Sequence, residues 1–229
     1  MHNILAGLNP VQQAAVNHLR GPLLILAGAG SGKTRVLTHR IANLIYHGVP
    51  PWQILAVTFT NKAAEEMRHR VFTLLGMPNN ADLWVCTFHH ACVRILRQEA
   101  PAIGYRKEFI IFDTSDQLSV VKEVLKELNI DEKVLSPRAV LEEISRAKNE
   151  LVTPDLYGER VCNFFTRNAE EIYRLYQRKL TLQQAFDFDD LILQTVRLFK
   201  NNPDILQKYQ EKFLYILIYE YQDTKDRKS

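Results

Sequence analysis

The sequence predicts an α/β protein in which helices cover a parallel sheet and a helical insertion interrupts the sheet-forming part. Short apolar runs at 23–27, 54–59 and 83–88 have the length and composition of strands buried on both faces. A predicted helix lies between each run and the next. Alternation of strands with helices favours parallel pairing of the strands. The pattern is helical across 90–186, and an apolar run at 213–219 then predicts a return to the sheet.

Helix boundaries follow from capping signals and from apolar spacing. Asn9 and Pro10 predict a helix start, because asparagine caps helix N-termini and proline suits the first helical position. Ser136 and Pro137 give the same signal within the insertion. The segment 108–112 is a weaker candidate strand. The other predicted helices occupy residues 33–47, 61–75, 113–130, 168–180 and 188–199.

The composition is typical of a globular protein and excludes several classes. The 229 residues are 46% hydrophobic and 24% charged, and no apolar run approaches the roughly 18 residues of a membrane helix. The three cysteines are not spaced as C-x-x-C and predict reduced thiols. A net charge of +3 permits a nucleic-acid partner without requiring one. We therefore expect a cytoplasmic protein without a membrane partner.

The segment AGAGSGKT at 27–34 lies between a predicted strand and a predicted helix and is typical of a phosphate-binding loop. Glycines let backbone N–H groups turn towards phosphate oxygens, and the helix N-terminus adds partial positive charge. Lys33 can reach the β and γ phosphates, and the Thr34 hydroxyl can bind Mg²⁺. The predicted phosphate-binding residues are Gly28, Ala29, Gly30, Ser31, Gly32, Lys33 and Thr34. The alternative is a glycine-rich turn with an incidental lysine, since Ala27 replaces the first glycine of the strict motif.

Four further segments make the prediction more specific. They are LNPVQQAAV at 8–16, AVTFTNKAAEEMRHRV at 56–71, CTFHHACVRILR at 86–97 and FDFDDLI at 186–192. Together with the phosphate loop, they resemble the N-terminal half of superfamily-1 DNA helicases of the UvrD/Rep/PcrA type. The resemblance implies a RecA-like P-loop NTPase parallel sheet with an inserted helical subdomain. Domain 1A would comprise 1–89 and 187–229, and domain 1B would comprise 90–186.

The same resemblance implies roles for residues outside the phosphate loop. Gln12 would hydrogen-bond the adenine edge, since an amide offers both a donor and an acceptor, and Arg35 would stack on the adenine. A surface glutamine and a solvated arginine are the alternatives. The residues implied to bind single-stranded DNA are Phe59, Thr60, Asn61, Thr87, Phe88 and His89. The alternative for this set places Phe59 in the core and makes Asn61 a helix cap.

Two groups of residues resemble metal ligands without predicting a metal. Asp187, Asp189 and Asp190 permit a metal cluster or helix capping, and we favour capping because acidic side chains are common at helix N-termini. The pair His89-His90 has no further ligand at useful spacing.

The last predicted strand leads into a motif that departs from the family. The family pattern D-E-x-Q-D corresponds here to Tyr219-Glu220-Tyr221-Gln222-Asp223. Glu220 matches the general base that activates the attacking water, so Lys33 and Glu220 are the implied catalytic residues, with an indirect contact of Glu220 to Mg²⁺. Tyr219 stands where the Mg²⁺-holding aspartate belongs, and a neutral phenol is a poor ligand for a hard cation.

These features predict the N-terminal ATP-binding region of an ATP-dependent 3′–5′ DNA helicase, with ATP and Mg²⁺ as cofactors. The implied partners are single-stranded DNA, junctions of single- and double-stranded DNA, and a C-terminal helicase half that the sequence does not contain. Because unwinding needs two domains that close on ATP, we expect this chain alone to unwind nothing. The alternative is a non-catalytic module that binds ATP and single-stranded DNA or a protein partner. A small P-loop kinase is a third interpretation, and the helicase-like segments disfavour it.

Overall fold

The structure, a computed structural model, describes residues 4–28, 30–78, 82–160 and 164–221. The helices are α1 (Pro10–Asn17), α2 (Lys33–Tyr46), α3 (Asn61–Leu75), α4 (Phe88–Glu99), α5 (Thr114–Glu127), α6 (Pro137–Asn149), α7 (Pro154–Tyr157), α8 (Phe164–Leu182), α9 (Phe188–Asn201) and α10 (Pro203–Lys212). The strands are β1 (Ile54–Thr58), β2 (Trp84–Thr87), β3 (Ile110–Ile111), β4 (Ala185–Phe186) and β5 (Tyr215–Ile218).

The chain divides into two compact units. The sheet unit contains the described residues up to Ala91 and those from Gln207 onward, and the helical unit is Cys92–Leu206. A mixed α/β fold with a parallel sheet was predicted and is present. The helix α9 belongs to the helical unit here, and the domain boundaries implied at 89/90 and 186/187 remain predictions.

Parallel strands form the centre of the sheet unit. Within the described residues the strand order is β2-β1-β5, and both pairings are parallel. The register aligns Thr58 with Thr87 and Val57 with Ile218, so the carboxyl ends of these strands meet at one edge of the sheet. In open α/β sheets, ligands bind outside the carboxyl ends of the strands. A ligand site is therefore expected at the segments that follow these strands.

The helices α2 and α3 cover the sheet because each has an apolar stripe at helical spacing. Ile41 and Leu44 of α2 and Met67 and Val71 of α3 are buried in one core cluster with residues of the strands. The bounds of α3 agree with the predicted helix at 61–75.

The prediction of a buried strand at 23–27 is wrong. These residues belong to no strand, and Leu24 and Leu26 are 70% and 87% exposed, the opposite of burial on both faces. An apolar run supplies suitable side chains, but a strand forms only when its N–H and C=O groups pair with a neighbour. No strand of the described residues pairs with the outer edge of β5, where Ile216 is 61% exposed.

The helical unit has its own core, formed mainly by α5, α6 and α8. Leu125, Ile144, Ile172 and Tyr176 are all buried in this cluster. The short strands β3 and β4 pair in parallel beside it, with Ile110 opposite Ala185. The weak strand predicted at 108–112 is therefore present as β3.

A buried ion cluster lies inside the helical unit. Lys148 of α6 has no exposed side-chain surface, and its Nζ lies 2.6 Å from Asp187 Oδ2 and 2.9 Å from Asp190 Oδ2. The Tyr176 hydroxyl donates to Asp187 at 2.8 Å, and Gln177 Nε2 donates to Asp190 at 3.2 Å. Burial opposes the charge on Lys148, but attraction to Asp190 and Asp187 outweighs it and raises the pKa of that lysine. Burial raises the pKa of Asp190 to about 6.

The aspartates of this cluster also cap α9. Asp187 is the N-cap and accepts a hydrogen bond from the Asp190 N–H at 2.8 Å, and Asp190 closes the capping box. The favoured interpretation, helix capping, is confirmed for Asp187 and Asp190, while Asp189 accepts a hydrogen bond from Asn149 Nδ2. No group of three or more His, Cys, Asp or Glu side chains among the described residues could hold a metal ion.

Two N-caps in the helical unit differ in what their side chains do. Asp113 accepts hydrogen bonds from the N–H groups of Ser115 and Asp116 at 2.7 and 2.9 Å. Ser136 stands at the predicted N-cap of α6 but makes no side-chain cap hydrogen bond. We expect Asp113→Ala to lower the free energy of unfolding by about 0.5–2 kcal/mol and Ser136→Ala to change it little. Urea titrations followed by circular dichroism test this, and equal losses would contradict it.

Candidate nucleotide and DNA site

The phosphate loop turns back on itself through Ser31. The N–H and the hydroxyl of Ser31 donate to the Gly28 carbonyl oxygen at 3.3 and 2.6 Å. Gly30 and Gly32 have φ of 75° and 85°, a left-handed conformation that residues with a Cβ rarely adopt. The backbone of the loop therefore depends on its glycines, and phosphate binding by the loop remains a prediction. Ala29 lies outside the described residues.

The loop leads directly into α2, whose N-terminus is suited to an anion. Gly32 is the N-cap and provides no side-chain hydrogen bond, and the half-buried Lys33 is the first helical residue. The first N–H groups of a helix have no intrahelical partner. These N–H groups and the Lys33 ammonium together favour negative charge at this point.

Gln12 is held beside the phosphate loop. Its Nε2 donates to the Ser31 carbonyl oxygen at 3.0 Å, and its Oε1 accepts from the Asn9 N–H at 3.0 Å as part of the capping box of α1. An amide group has two N–H donors and an oxygen with two lone pairs, so it can still offer a donor and an acceptor to adenine. The contact places Gln12 next to the loop, and adenine recognition remains a prediction.

Arg35 is exposed, and its guanidinium lies against Gly7. A Cβ at Gly7 would lie 2.5 Å from Arg35 Nη2, so a larger residue would force the arginine to move. The sequence interpretation missed this role of Gly7, because nothing local connects residue 7 with residue 35. Stacking of Arg35 on adenine remains a prediction.

The end of β5 meets the start of α2 through two hydroxyl groups. Tyr219 Oη lies 2.9 Å from Thr34 Oγ1, and either oxygen can donate the hydrogen bond. The Tyr219 N–H also donates to the Val57 carbonyl oxygen at 2.9 Å, which continues the pairing of β5 with β1. The predicted Mg²⁺ ligand Thr34 therefore contacts the residue at the aspartate position of the family.

Glu220 directly follows and has φ 57°, a left-handed conformation. For a residue with a Cβ this costs on the order of 1–2 kcal/mol, and such residues cluster at functional sites. The residue is half-buried. Its role as general base remains a prediction, and Gln222 and Asp223 of the same motif lie outside the described residues.

The groups at Thr34 do not fit the predicted Mg²⁺ ion. Magnesium is usually held by one or two carboxylates together with substrate phosphates. The two oxygens brought together here belong to hydroxyl groups of Thr34 and Tyr219 that bond to each other. A hard divalent cation gains little from such a donor pair.

The ends of β1 and β2 carry the predicted DNA-binding residues. Because Thr58 and Thr87 are aligned, the rings of Phe59 and Phe88 lie side by side, with centroids 5.9 Å apart at an interplanar angle of 59°. Both rings and the following His89 are half-buried. Partly exposed aromatic rings can stack on nucleic-acid bases, and Phe59 is not the fully buried core residue of the alternative interpretation.

Polar residues of the predicted DNA set begin the next helices. Thr60 caps α3, because its Oγ1 accepts from the Ala63 N–H at 3.2 Å. Asn61 is exposed at the first position of α3 and is not the cap, contrary to the alternative interpretation. Thr87 Oγ1 accepts from the His90 N–H at 3.2 Å at the start of α4.

The two described cysteines lie outside the predicted site residues. Cys86 is buried and Cys92 is partly buried, both as thiols, and Cys162 lies outside the described residues. Burial raises the pKa of the Cys92 thiol. Across the described ranges, no helix has the length and apolar character needed to cross a membrane.

Comparison with known proteins identifies the family. The family of the UvrD/REP helicase N-terminal domain matches residues 8–228. The chain therefore belongs to this family, and the resemblance inferred from its motifs is confirmed.

The chain is similar to bacterial proteins named ATP-dependent DNA helicase PcrA. It is 53% identical to the protein of Bacillus subtilis over 224 residues, 51% to that of Leuconostoc citreum over 221, and 50% to that of Staphylococcus epidermidis RP62A over 225. These matches cover 97%, 96% and 98% of this chain, but 30%, 30% and 31% of the relatives. The chain thus spans just under a third of their length.

Proposed function

We propose that this chain is the ATP-binding N-terminal region of an ATP-dependent DNA helicase that translocates 3′ to 5′ on single-stranded DNA and unwinds duplexes. The observation that carries the proposal is the convergence of three strand ends at one sheet edge. There, β5 contacts the phosphate-loop helix through Tyr219, and β1 and β2 continue into Phe59 and Phe88. Membership of the UvrD/REP family supports this assignment, and the polarity rests on the family resemblance.

In this proposal ATP binds at the start of α2. Lys33 and the N–H groups of the loop hold the phosphates, while Gln12 and Arg35 contact the adenine. Glu220 orients and deprotonates the attacking water. Because the groups at Thr34 do not fit Mg²⁺, we assign that ion no step.

Single-stranded DNA and its junctions with duplex DNA are the proposed partners. The bases stack on the aromatic rings at the sheet edge. The proposed contact residues are Phe59, Thr60, Asn61, Thr87, Phe88 and His89. We further propose that domain 1A comprises 1–89 and 187–229 and domain 1B comprises 90–186. A polypeptide of these 229 residues is expected to bind DNA without unwinding it, because unwinding needs two domains that close on ATP.

A second candidate is a non-catalytic module that binds ATP and single-stranded DNA, or a protein partner. The contact between Thr34 and Tyr219 favours it, because a hydroxyl replaces the carboxylate that the family uses to hold Mg²⁺. In that case ATP is a structural ligand and is not hydrolysed.

ATP binding should depend strongly on Lys33. We expect Lys33→Ala to lower the affinity for ATP by at least about tenfold, because a charge-assisted hydrogen bond contributes about 1.5–3 kcal/mol. Isothermal titration of the native chain and the variant measures this. Lys208 is an exposed lysine of α10, so Lys208→Ala is the matched control and should bind ATP as tightly as the native chain does.

ATP hydrolysis with and without single-stranded DNA then separates the two candidates. Turnover that rises with DNA and vanishes in Lys33→Ala supports the helicase proposal. ATP binding without turnover above the Lys33→Ala blank supports the non-catalytic module. Equal ATP affinity of the native chain and Lys33→Ala would contradict both.

A further inference from the structure

The hydroxyl of Tyr219 is fixed in place by the fold. Its backbone N–H bonds to Val57 at 2.9 Å, and its ring packs against the core of the sheet unit. Its hydroxyl lies 2.9 Å from Thr34 Oγ1, one residue after Lys33 in the first turn of α2. The pairing with β1 and the hydrogen bond to α2 therefore hold the phenol at the phosphate end of the proposed ATP site.

A phenol can hold Thr34 by a hydrogen bond, but it cannot supply the charge that attracts a divalent cation. A carboxylate is ionised at neutral pH, whereas a phenol is not. Magnesium loses its water reluctantly, and carboxylates compensate for that cost in protein sites. The side chain of Tyr219 thus makes a contact to Thr34 without supplying the negative charge expected beside it.

We propose that Tyr219 makes nucleotide binding by this chain independent of divalent cations. The inference rests on the proposed ATP site. Affinity then comes from Lys33 and from the N–H groups at the start of α2, which need no ion to hold phosphate. Removing Mg²⁺ changes the dissociation constant by less than about twofold, because no carboxylate at position 219 gains or loses a partner.

Titration with a fluorescent ATP analogue, N-methylanthraniloyl-ATP, tests the inference in excess MgCl₂ and in excess EDTA. Tyr219→Asp and Tyr219→Asn are a matched pair, because both remove the ring and differ in charge. Tyr219→Asp should bind the analogue at least about tenfold more tightly with Mg²⁺ than with EDTA. Tyr219→Asn and the native chain should bind equally in both.

Each result has a distinct meaning. A native affinity that rises about tenfold or more with Mg²⁺ overturns the inference and leaves the proposed ATP site standing. Equal responses of the aspartate and asparagine variants overturn the assignment to Tyr219. If the native chain binds no better than Lys33→Ala in either buffer, the proposed ATP site fails and the inference fails with it. Tyr219→Phe keeps the ring and also lacks a carboxylate, so it should bind the analogue equally in both buffers, and a rise with Mg²⁺ of about tenfold or more would overturn the inference even when loss of the ring unfolds the other two variants.

Discussion

Replacing Lys148 with methionine is expected to lower the free energy of unfolding of the helical unit by about 3–5 kcal/mol. Methionine fills a similar volume without a charge, so the side chains of Asp187 and Asp190 remain buried without their cation. The hydrogen bonds from Tyr176 and Gln177 to these carboxylates do not replace a positive charge. The free energy of unfolding of a typical domain is only about 5–15 kcal/mol in total. The helical unit of the variant should therefore unfold at a clearly lower urea concentration than that of the native chain.

The measurement must report on the helical unit. Both tryptophans, Trp52 and Trp84, lie in the sheet unit, so tryptophan fluorescence would follow the wrong part of the chain. Hydrogen exchange of α6, α8 and α9 during a urea titration reports on the helices around Lys148. Lys122→Met is the matched control, because Lys122 is exposed on α5. It should change stability by less than about 0.5 kcal/mol, and similar losses in the two variants would contradict the prediction.

A triple variant separates charge from packing in the ion cluster. Combining Lys148→Met with Asp187→Asn and Asp190→Asn removes the buried charges together, and asparagine can still cap α9. Breaking a buried ion pair costs more than replacing all of its members, so the triple variant should regain part of the lost stability. Stability no higher than that of Lys148→Met would show that the uncompensated carboxylates are not the cause.

The elements that sequence patterns predict well are those with a local signal. β1, β2 and β5 lie within the predicted runs 54–59, 83–88 and 213–219. Each run is apolar apart from Thr58 in the first and Thr87 in the second, and a near-continuous apolar run is the pattern of a strand buried between helices. β4 was not predicted, because its two residues are too few to show any periodicity.

The segment 23–27 shows that a local apolar pattern alone does not predict a strand. Its apolar run resembles that of 54–59, but a strand also requires a neighbour to pair with, and pairing is a long-range property. Lys148 was missed for a different reason. It lies four residues after Ile144 on the buried face of α6. Its spacing therefore indicates burial, but a lysine is normally expected on the surface.

The candidate site also combines a local feature that the sequence predicts with a long-range contact that it does not. The phosphate loop is concentrated in eight consecutive residues at 27–34, so its motif predicts it. The hydrogen bond between Thr34 and Tyr219 joins residues 185 positions apart. The tyrosine is visible in the sequence, but only the pairing of β5 with β1 brings its hydroxyl to α2. Long-range contacts of this kind depend on which strands pair with each other, and the sequence around one residue does not show its distant partner.

Phe59→Ala is expected to weaken the binding of single-stranded DNA by about 5- to 150-fold, because stacking of a base on an aromatic ring contributes about 1–3 kcal/mol. Phe59 follows β1 at the carboxyl edge of the sheet, and its ring pairs with that of Phe88. Alanine removes one face of this aromatic pair and leaves Phe88 without its neighbour. Fluorescence anisotropy of a labelled oligodeoxythymidine, at one fixed salt concentration, measures the change.

Two further variants separate stacking from packing. Phe59→Leu keeps an apolar side chain against Phe88 but offers no aromatic face, so it should lose nearly as much DNA affinity as alanine while keeping more stability. Tyr46→Ala removes an aromatic ring that is 59% exposed at the end of α2, and DNA affinity should stay within about twofold of the native value. If Phe59→Leu binds DNA as tightly as the native chain while Phe59→Ala does not, Phe59 acts by packing on Phe88. The bases would then not stack on the ring of Phe59 itself.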